Sequence, residues 1–355
     1  MKKKAEERLT KALVKVAPGT DLREGLDHIL SAKTGALIVV GDTPRVKNIV
    51  SGGFVINCDF NSQRLYELAK MDGAIILDEA VSKILYANVH LVPDPSLATS
   101  ETGMRHRTAE RVAQQTKSLV ISISQKREVI SLYVDDIKYA LQDIRVVLSK
   151  GNQAIQTLEK YKNRLDQVSS NLNALEFEDL VVLVDVLTVA QRGEMVKRVG
   201  HEIQRYINEL GSEGRLLHMQ LEELIAGVDE DVMMLIKDYS SNGKRDEKIR
   251  DSLQEADPED LLDLMNISQA LGYEGVISEL DSSVHPHGYR LLRRIPRLPP
   301  RVINKLVDHF HDLESIIHAS VEELDDVEGV GTVRAQAIQE GLRRLKEYNL
   351  LERYM

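Results

Sequence analysis

Hydrophobic and polar positions change their rhythm twice along the chain. Up to about residue 148, short apolar runs alternate with polar stretches: 35–40, 73–77, 84–86, 119–123 and 129–133. Most run for about four to six residues, rich in Val, Ile and Leu, with Gly, Asp, Asn or Pro nearby, which predicts strands. Between them, 63–71 places Leu65, Leu68 and Ala69 on one face behind Ser62 as N-cap, and 103–115 continues in the same helical manner. The first segment therefore reads as α/β on a mixed sheet.

From 149 to about 285 the period becomes helical. Leu158, Tyr161, Leu165 and Val168 continue one stripe, and Leu216, Met219, Leu224 and their neighbours supply another. Packing within a helical bundle is the expected use of such stripes, ahead of partner binding. No proline falls between Pro95 and Pro258. A loop is expected at 240–246, around Asn242-Gly243, and a short helix after Asp257-Pro258. The rhythm changes again at 286. Residues 286–301 hold five Arg and no Asp or Glu; helices are expected around 302–310 and 332–346. The fold class is multidomain, α/β plus all-α, with segments 1–148, 149–285 and 286–355.

Composition narrows the chemistry. The 355 residues suit two or three domains. Trp is absent and aromatics make up 4%, so the cores are aliphatic. Cys58 stands alone, which excludes an intrachain disulfide framework and a multi-Cys zinc site, fits a reducing cytosol, and is expected simply to pack. Met1 to Arg8 is charged and leads into no apolar stretch, so no signal peptide is expected. No apolar run approaches the ~18 residues of a membrane helix. The net charge of −10 argues against nucleic acid at first sight, but 286–355 is neutral as a whole and 286–301 carries +5. The acidity lies elsewhere, which leaves room for a local contact with a polyanion.

That contact has a candidate. In 324–338, a short helix carrying Leu324 enters the turn Val327-Glu328-Gly329-Val330-Gly331, and a second helix follows with Ala335 and Ile338 inward. Two glycines permit unusual dihedrals, and the N–H groups of the turn and helix start face a phosphate oxygen. The arrangement resembles the helix-hairpin-helix module, which grips the DNA backbone without reading sequence. Gly329, Val330, Gly331, Thr332 and Arg334 are its candidate contacts. A partner module is expected at 295–310, where Leu298-Pro299-Pro300 replaces the glycine turn and Arg297 and Arg301 would compensate with charge.

The N-terminal segment lacks the common glycine-rich nucleotide signatures. His285/His287 and His309/His311 are spaced i, i+2, which on a helix does not converge on a metal. Two stretches stand out: Asp72-Gly73-Ala74, and Arg105-His106-Arg107-Thr108 at the expected start of a helix. Cations there oppose the helix dipole, and a bound polyphosphate would resolve the conflict. A solvated helix start, with Glu101 and Glu110 offsetting the charge, is an equal reading of the residues alone.

Taken in order with the C-terminal module, these motifs resemble the bacterial diadenylate cyclases that carry a helix-hairpin-helix domain. The resemblance covers essentially the whole chain, including 66–76 and 156–161. It implies condensation of two ATP into cyclic di-AMP with loss of two pyrophosphates, dependent on Mg²⁺ or Mn²⁺. It implies that Asp72 holds the metal or polarises the attacking hydroxyl. Gly73 would let the strand approach the ribose and phosphate. Arg105, His106 and Arg107 would hold the triphosphate, Thr108 would contact the base, and Leu91 and Ser124 would line the pocket. It implies an octamer. One Asp-Gly-Ala and one Arg-His-Arg per chain, set against a two-fold symmetric product, predict an obligate oligomer with catalytic domains face to face. The presence of both modules on one chain predicts regulation by branched or damaged DNA, and a cytoplasmic, nucleoid-associated location without a membrane anchor is expected. Two rivals stand beside it: a DNA-binding scaffold with a dead N-terminal domain, which the intact Asp72 and Arg105-His106-Arg107 oppose, and a nuclease, for which no clustered acidic site is evident.

Overall fold

The computed structural model describes residues 2–241 and 246–353, so Asn242 and Gly243 of the expected loop lie outside the described residues. The chain packs as two compact units, 1–153 with 203–219 and 154–202 with 220–355.

The first unit is built on eight strands: β1 (Ala36–Val40), β2 (Val50–Ser51), β3 (Phe54–Asp59), β4 (Ala74–Leu77), β5 (Lys83–Leu91), β6 (Leu119–Ser124), β7 (Val129–Val134) and β8 (Ile137–Ala140). They form a mixed sheet in the order β2-β5-β4-β1-β6-β7-β8, with β3 also paired to β5. Among the described residues β1 and β4 pair in parallel and the other strand pairings are antiparallel. Strand β1 is buried throughout because helices cover both faces of the sheet. Ile38 and Val40 face a cluster with Leu13, Leu26 and Leu65; Leu37 and Val39 face one with Ala109, Val112 and Tyr133.

The five apolar runs all form strands. The missed strands are short or poorly buried: β3 exposes Phe54 and Val55, and β8 alternates between half-buried and exposed positions. The helix expected over 63–71 is Ser62–Leu68, and its cap is Asn61, not Ser62. The Asn61 Oδ1 atom accepts from the amides of Gln63 and Arg64, which draws the helix start back by one residue. Cys58 is half-buried against the core.

Two long helices, Ile144–Glu178 and Leu183–Leu210, contribute residues to both units. Leu158 and Leu165 are buried as expected, but Leu216 and Met219 are exposed; Leu217 and Leu221, one and two positions further on, take the core positions. Asp257-Pro258 begins only a single 3₁₀ turn, Asp260–Leu262. The following helix, Leu264–Leu271, starts where Asp263 accepts from the Met265 amide. Among the described residues no helix is long and apolar enough to cross a membrane.

The C-terminal helices Tyr289–Arg293, Pro300–Phe310, Leu313–His318, Val321–Asp325 and Thr332–Arg353 close around Leu292, Leu306, Ile316, Leu324 and Ile338. Arg290 departs from the expected basic surface. It is buried, donates to Glu176 and Asn173, and so is no phosphate contact. Asp238 accepts the amides of Gly288, Tyr289 and Arg290, capping the start of helix Tyr289–Arg293.

Candidate active site and nucleic-acid interface

The parallel pairing of β1 with β4 puts both strand starts at one end of the sheet. Gly35 precedes β1; Asp72 and Gly73 precede β4. Because β6 runs antiparallel to β1, with Ala36 opposite Ile123, Ser124 ends at the same place. Strand β5 brings Leu91 there too, since Ala74 pairs with Val89 and the register continues toward Asp72. The sequence candidates on four strands thus share one end of one sheet.

Helix Met104–Thr116 supplies the cations. Gly103 caps it without a side-chain acceptor and no acid occupies its first turn, so its amide ends stay open to an anion. Arg105 reaches back across the strand ends, with Nη2 3.7 Å from Asp72 Oδ1. The Asp72 side chain is fully exposed, so this pair is a loose, solvated one. An open cleft of about 480 Å³ is lined by Gly103, Met104, Arg105, His106, Ser124, Gln125 and Lys126. Successive helix residues turn by about 100°, so Arg107 points about 200° away from Arg105. Arg107 is exposed and Thr108 half-buried, and neither is among those lining residues.

Two glycines explain the close packing. At Gly73 a β-carbon would lie 2.4 Å from the Asn88 carbonyl carbon, so its missing side chain admits strand β5. The Gly73 amide donates to Asn88 Oδ1 at 3.0 Å. At Gly35 a β-carbon would meet Arg105 Nη1 at 2.0 Å, so the guanidinium lies in the space that glycine leaves. Gly35 gave no signal beyond opening an apolar run.

His106 belongs to a polar chain that the motif does not announce. Its Nδ1 lies 2.9 Å from the Tyr133 hydroxyl, which lies 3.0 Å from Glu101 Oε1; Glu101 is ion-paired with Lys138. Burial, foremost, holds the His106 imidazole below its ordinary pKa, Lys138, Arg127 and Arg105 add to that, and Glu101 opposes it. Glu101 and Glu110 thus do not neutralise the arginines. Glu110 accepts instead from Thr99 and Ser100 in the preceding loop. A lone tyrosine in an aliphatic strand was the available sign of Tyr133.

Among the described residues no group of three or more His, Cys, Asp or Glu could enclose a metal ion. A single exposed carboxylate suits Mg²⁺ or Mn²⁺ carried on a triphosphate, since Mg²⁺ commonly takes one or two carboxylates plus substrate phosphates. The paired histidines are otherwise engaged: His285 with Asp179, and His287 with the His311 carbonyl.

At the other site, Gly329 and Gly331 adopt φ of 89° and 64°. By helix geometry the amides of Thr332 and Val333, at the start of helix Thr332–Arg353, have no intrahelical acceptor, whereas those of Arg334 and Ala335 bond to the Gly331 carbonyl. Val330 is buried and its amide bonds to Val327, so it serves the turn from inside. Arg334 donates to the Gly329 carbonyl, while Arg297 and Arg301 are exposed.

Fold and sites define a class: a nucleotide-binding α/β domain and a helix-hairpin-helix domain joined by long helices. Residues 23–137 match the family model described as DisA bacterial checkpoint controller nucleotide-binding. Residues 141–280 match the DisA bacterial checkpoint controller linker region, and 294–350 the helix-hairpin-helix motif. The DNA integrity scanning protein DisA of Carboxydothermus hydrogenoformans is 58% identical over 344 residues, spanning 96% of this chain and 98% of that one. Those of Symbiobacterium thermophilum and Clostridium acetobutylicum are 56% and 51% identical, spanning 97% and 98% of their own lengths and 97% and 99% of this chain. The chain belongs to the DisA family. Its first domain is a diadenylate cyclase and its last binds DNA.

Proposed function

We propose that two copies of the chain oppose their Asp72–Arg105 sheet ends, each holding one ATP, and that each 3′-hydroxyl attacks the α-phosphate of the other nucleotide. Two ester bonds form, two pyrophosphates leave, and cyclic di-AMP results. The observation behind this reading is that one chain presents one fully exposed Asp72 beside one Arg105, whereas the product is two-fold symmetric. Identical half-reactions suit identical half-sites on a dyad.

In this reading Asp72 draws the attacking hydroxyl's proton or holds Mg²⁺ or Mn²⁺, which supplies charge neutralisation at the phosphates. Arg105 and the open amides of the Met104–Thr116 helix hold phosphate oxygens, and Ser124 stands beside them. Arg107, turned away from the Arg105 cleft, serves the leaving pyrophosphate from the other side. Gly73 keeps β4 and β5 close under the ribose, and Leu91 and Thr108 border the base. The helical segment 149–285 joins the cyclase, 1–148, to the DNA-binding segment, 286–355, within a homo-octamer. Branched or damaged DNA held by Gly329, Gly331, Thr332, Arg297 and Arg301 shifts the facing half-sites and lowers cyclisation. The protein works in the cytoplasm at the nucleoid.

The test is incubation of the full chain with ATP and Mg²⁺ or Mn²⁺, with cyclic di-AMP read by mass spectrometry. Wild type yields product, and Asp72→Asn lowers the rate by about a hundredfold or more. Undiminished product from Asp72→Asn removes Asp72 from its role. An unchanged rate with saturating junction DNA removes the coupling.

A further inference from the structure

The chain Lys138–Glu101–Tyr133–His106 fixes where protons sit. Glu101 has a side chain only 7% exposed and is ion-paired with Lys138. Burial pushes its pKa up, but hydrogen bonds from Lys138 and Tyr133 and the Lys138 charge outweigh burial and hold it below the ordinary value. An ionised carboxylate only accepts hydrogen bonds, so the single Tyr133 proton goes to Glu101 Oε1, 3.0 Å away. Burial, then Glu101, push the phenol pKa far up, so that proton stays in place. The phenol oxygen is left as an acceptor toward His106 Nδ1 at 2.9 Å. Nδ1 must therefore carry the imidazole proton, and in the neutral ring Nε2 is bare.

The ring lines the same cleft as Arg105 and Lys126, beside the open amides of the helix start. Phosphate already has cations and N–H donors there. Acceptors are few among the lining side chains: Ser124, whose Oγ already takes the Arg127 amide, Gln125 and His106. We infer that Glu101 and Tyr133 are positioning residues that hold His106 in its Nδ1–H form, so that Nε2 accepts a hydrogen bond from an N–H or O–H group of the bound nucleoside. This rests on the cyclase reading but changes the part His106 plays: it is an acceptor, not a third cation on the triphosphate. The donor is a ribose hydroxyl or the adenine 6-amino group, since the phosphates of bound ATP offer only acceptors. Charged and titratable groups facing the ring are Glu101 from the loop, Lys138 from β8, Arg127 from the β6–β7 turn, Arg105 from its own helix and Tyr133 from β7.

The experiment uses full-length protein with ¹⁵N-labelled histidine, His106 being assigned by its loss in His106→Gln. Wild type is expected to show a protonated Nδ1 and a bare Nε2, and Tyr133→Phe, which keeps the buried ring, to lose that preference. Cyclisation kcat in Tyr133→Phe falls about ten- to a hundredfold, as when a hydrogen bond orienting a functional group is removed. Glu101→Gln, whose amide oxygen still accepts from Tyr133, keeps more activity than Glu101→Ala. Wild-type activity falls as pH drops and Nε2 takes up a proton. In Glu101→Gln that acid limb moves to lower pH, because a negative charge that favours the imidazolium is gone. ATP binds His106→Ala about tenfold more weakly than wild type. That difference vanishes for 2′- or 3′-deoxy-ATP if ribose is the donor, and for the analogue lacking the 6-amino group if adenine is. A proton on Nε2 in wild type, activity that rises as His106 is protonated, or a tenfold difference that persists with all three analogues overturns the assignment. The NMR readout needs no turnover, so it stands apart from failure of the cyclase reading.

Discussion

The two turns of the C-terminal domain, 294–300 and 326–332, share a backbone and differ in what they offer. In the first, the Leu298 amide bonds to Ile295 at 3.4 Å, and the amides of Val302 and Ile303 bond to Pro299 at 2.9 and 3.2 Å. In the second, Val330 bonds to Val327 at 3.0 Å, and Arg334 and Ala335 to Gly331 at 2.8 and 3.0 Å. Arg297, at φ 63°, takes the left-handed position that Gly329 takes at 89°. The paths part at the next step but one: Pro299 has φ −68°, Gly331 φ 64°. Pro299 and Pro300 have no amide hydrogen where Gly331 and Thr332 have one. The helix that leads into the first turn, Tyr289–Arg293, is tied inward by the Arg290 contact with Glu176 and by Asp238 at its start. One hairpin is built as an anchor and the other as a grip, on one backbone plan.

The largest effect is expected at the anchor. Arg290→Leu leaves the buried Glu176 carboxyl without its guanidinium partner, and should cost about 3–5 kcal/mol. Denaturant unfolding of the full chain measures this, and a loss below about 1 kcal/mol breaks the distinction between the turns. Gly331→Ala tests the grip. No atom lies within 4 Å of the β-carbon it would add, so the fold is not crowded. The left-handed φ costs about 1–2 kcal/mol, and the methyl occupies the space of a phosphate oxygen. Affinity for branched DNA should fall about tenfold, or about 1.4 kcal/mol. Fluorescence anisotropy at fixed salt reads it, and unchanged affinity means that the second turn is not the grip.

Such distinctions mark what the sequence could carry. The buried strands were legible because apolar runs with few polar breaks have one stable use, and the glycine turn because Gly329 and Gly331 leave few alternatives. Asp72, Gly73 and Arg105-His106-Arg107 were legible as motifs, yet their convergence depends on parallel β1 and β4, which no local pattern encodes. Arg290 and Arg301 look alike in a basic run, and only the tertiary partners of Arg290, Glu176 and Asn173, separate them. Leu216 and Leu217 differ by one helical step, which periodicity in a mixed stretch does not resolve. Glu101, Tyr133 and Lys138 lie on a loop and two strands, so the chain they form with His106 has no spacing to read.

Arg297 separates charge from backbone at the first turn. It is exposed and sits at φ 63°, where a side chain is strained and glycine is not. Arg297→Gly should therefore raise stability by about 0.5–1 kcal/mol through relief of that conformation, less the unfolded-state entropy that glycine adds. The same change removes a cation that the proline turn needs, because it has no amide to substitute for it. DNA binding should weaken, and the slope of log affinity against log salt should fall by about one. Arg297→Lys keeps the charge and the strain, so it should leave both stability and slope near wild type. If Arg297→Gly gains stability with no change in slope, the first turn holds no phosphate and is purely an anchor. If it loses both, the left-handed conformation is supported by contacts of the Arg297 side chain itself, and the two turns are less alike than their hydrogen bonds imply.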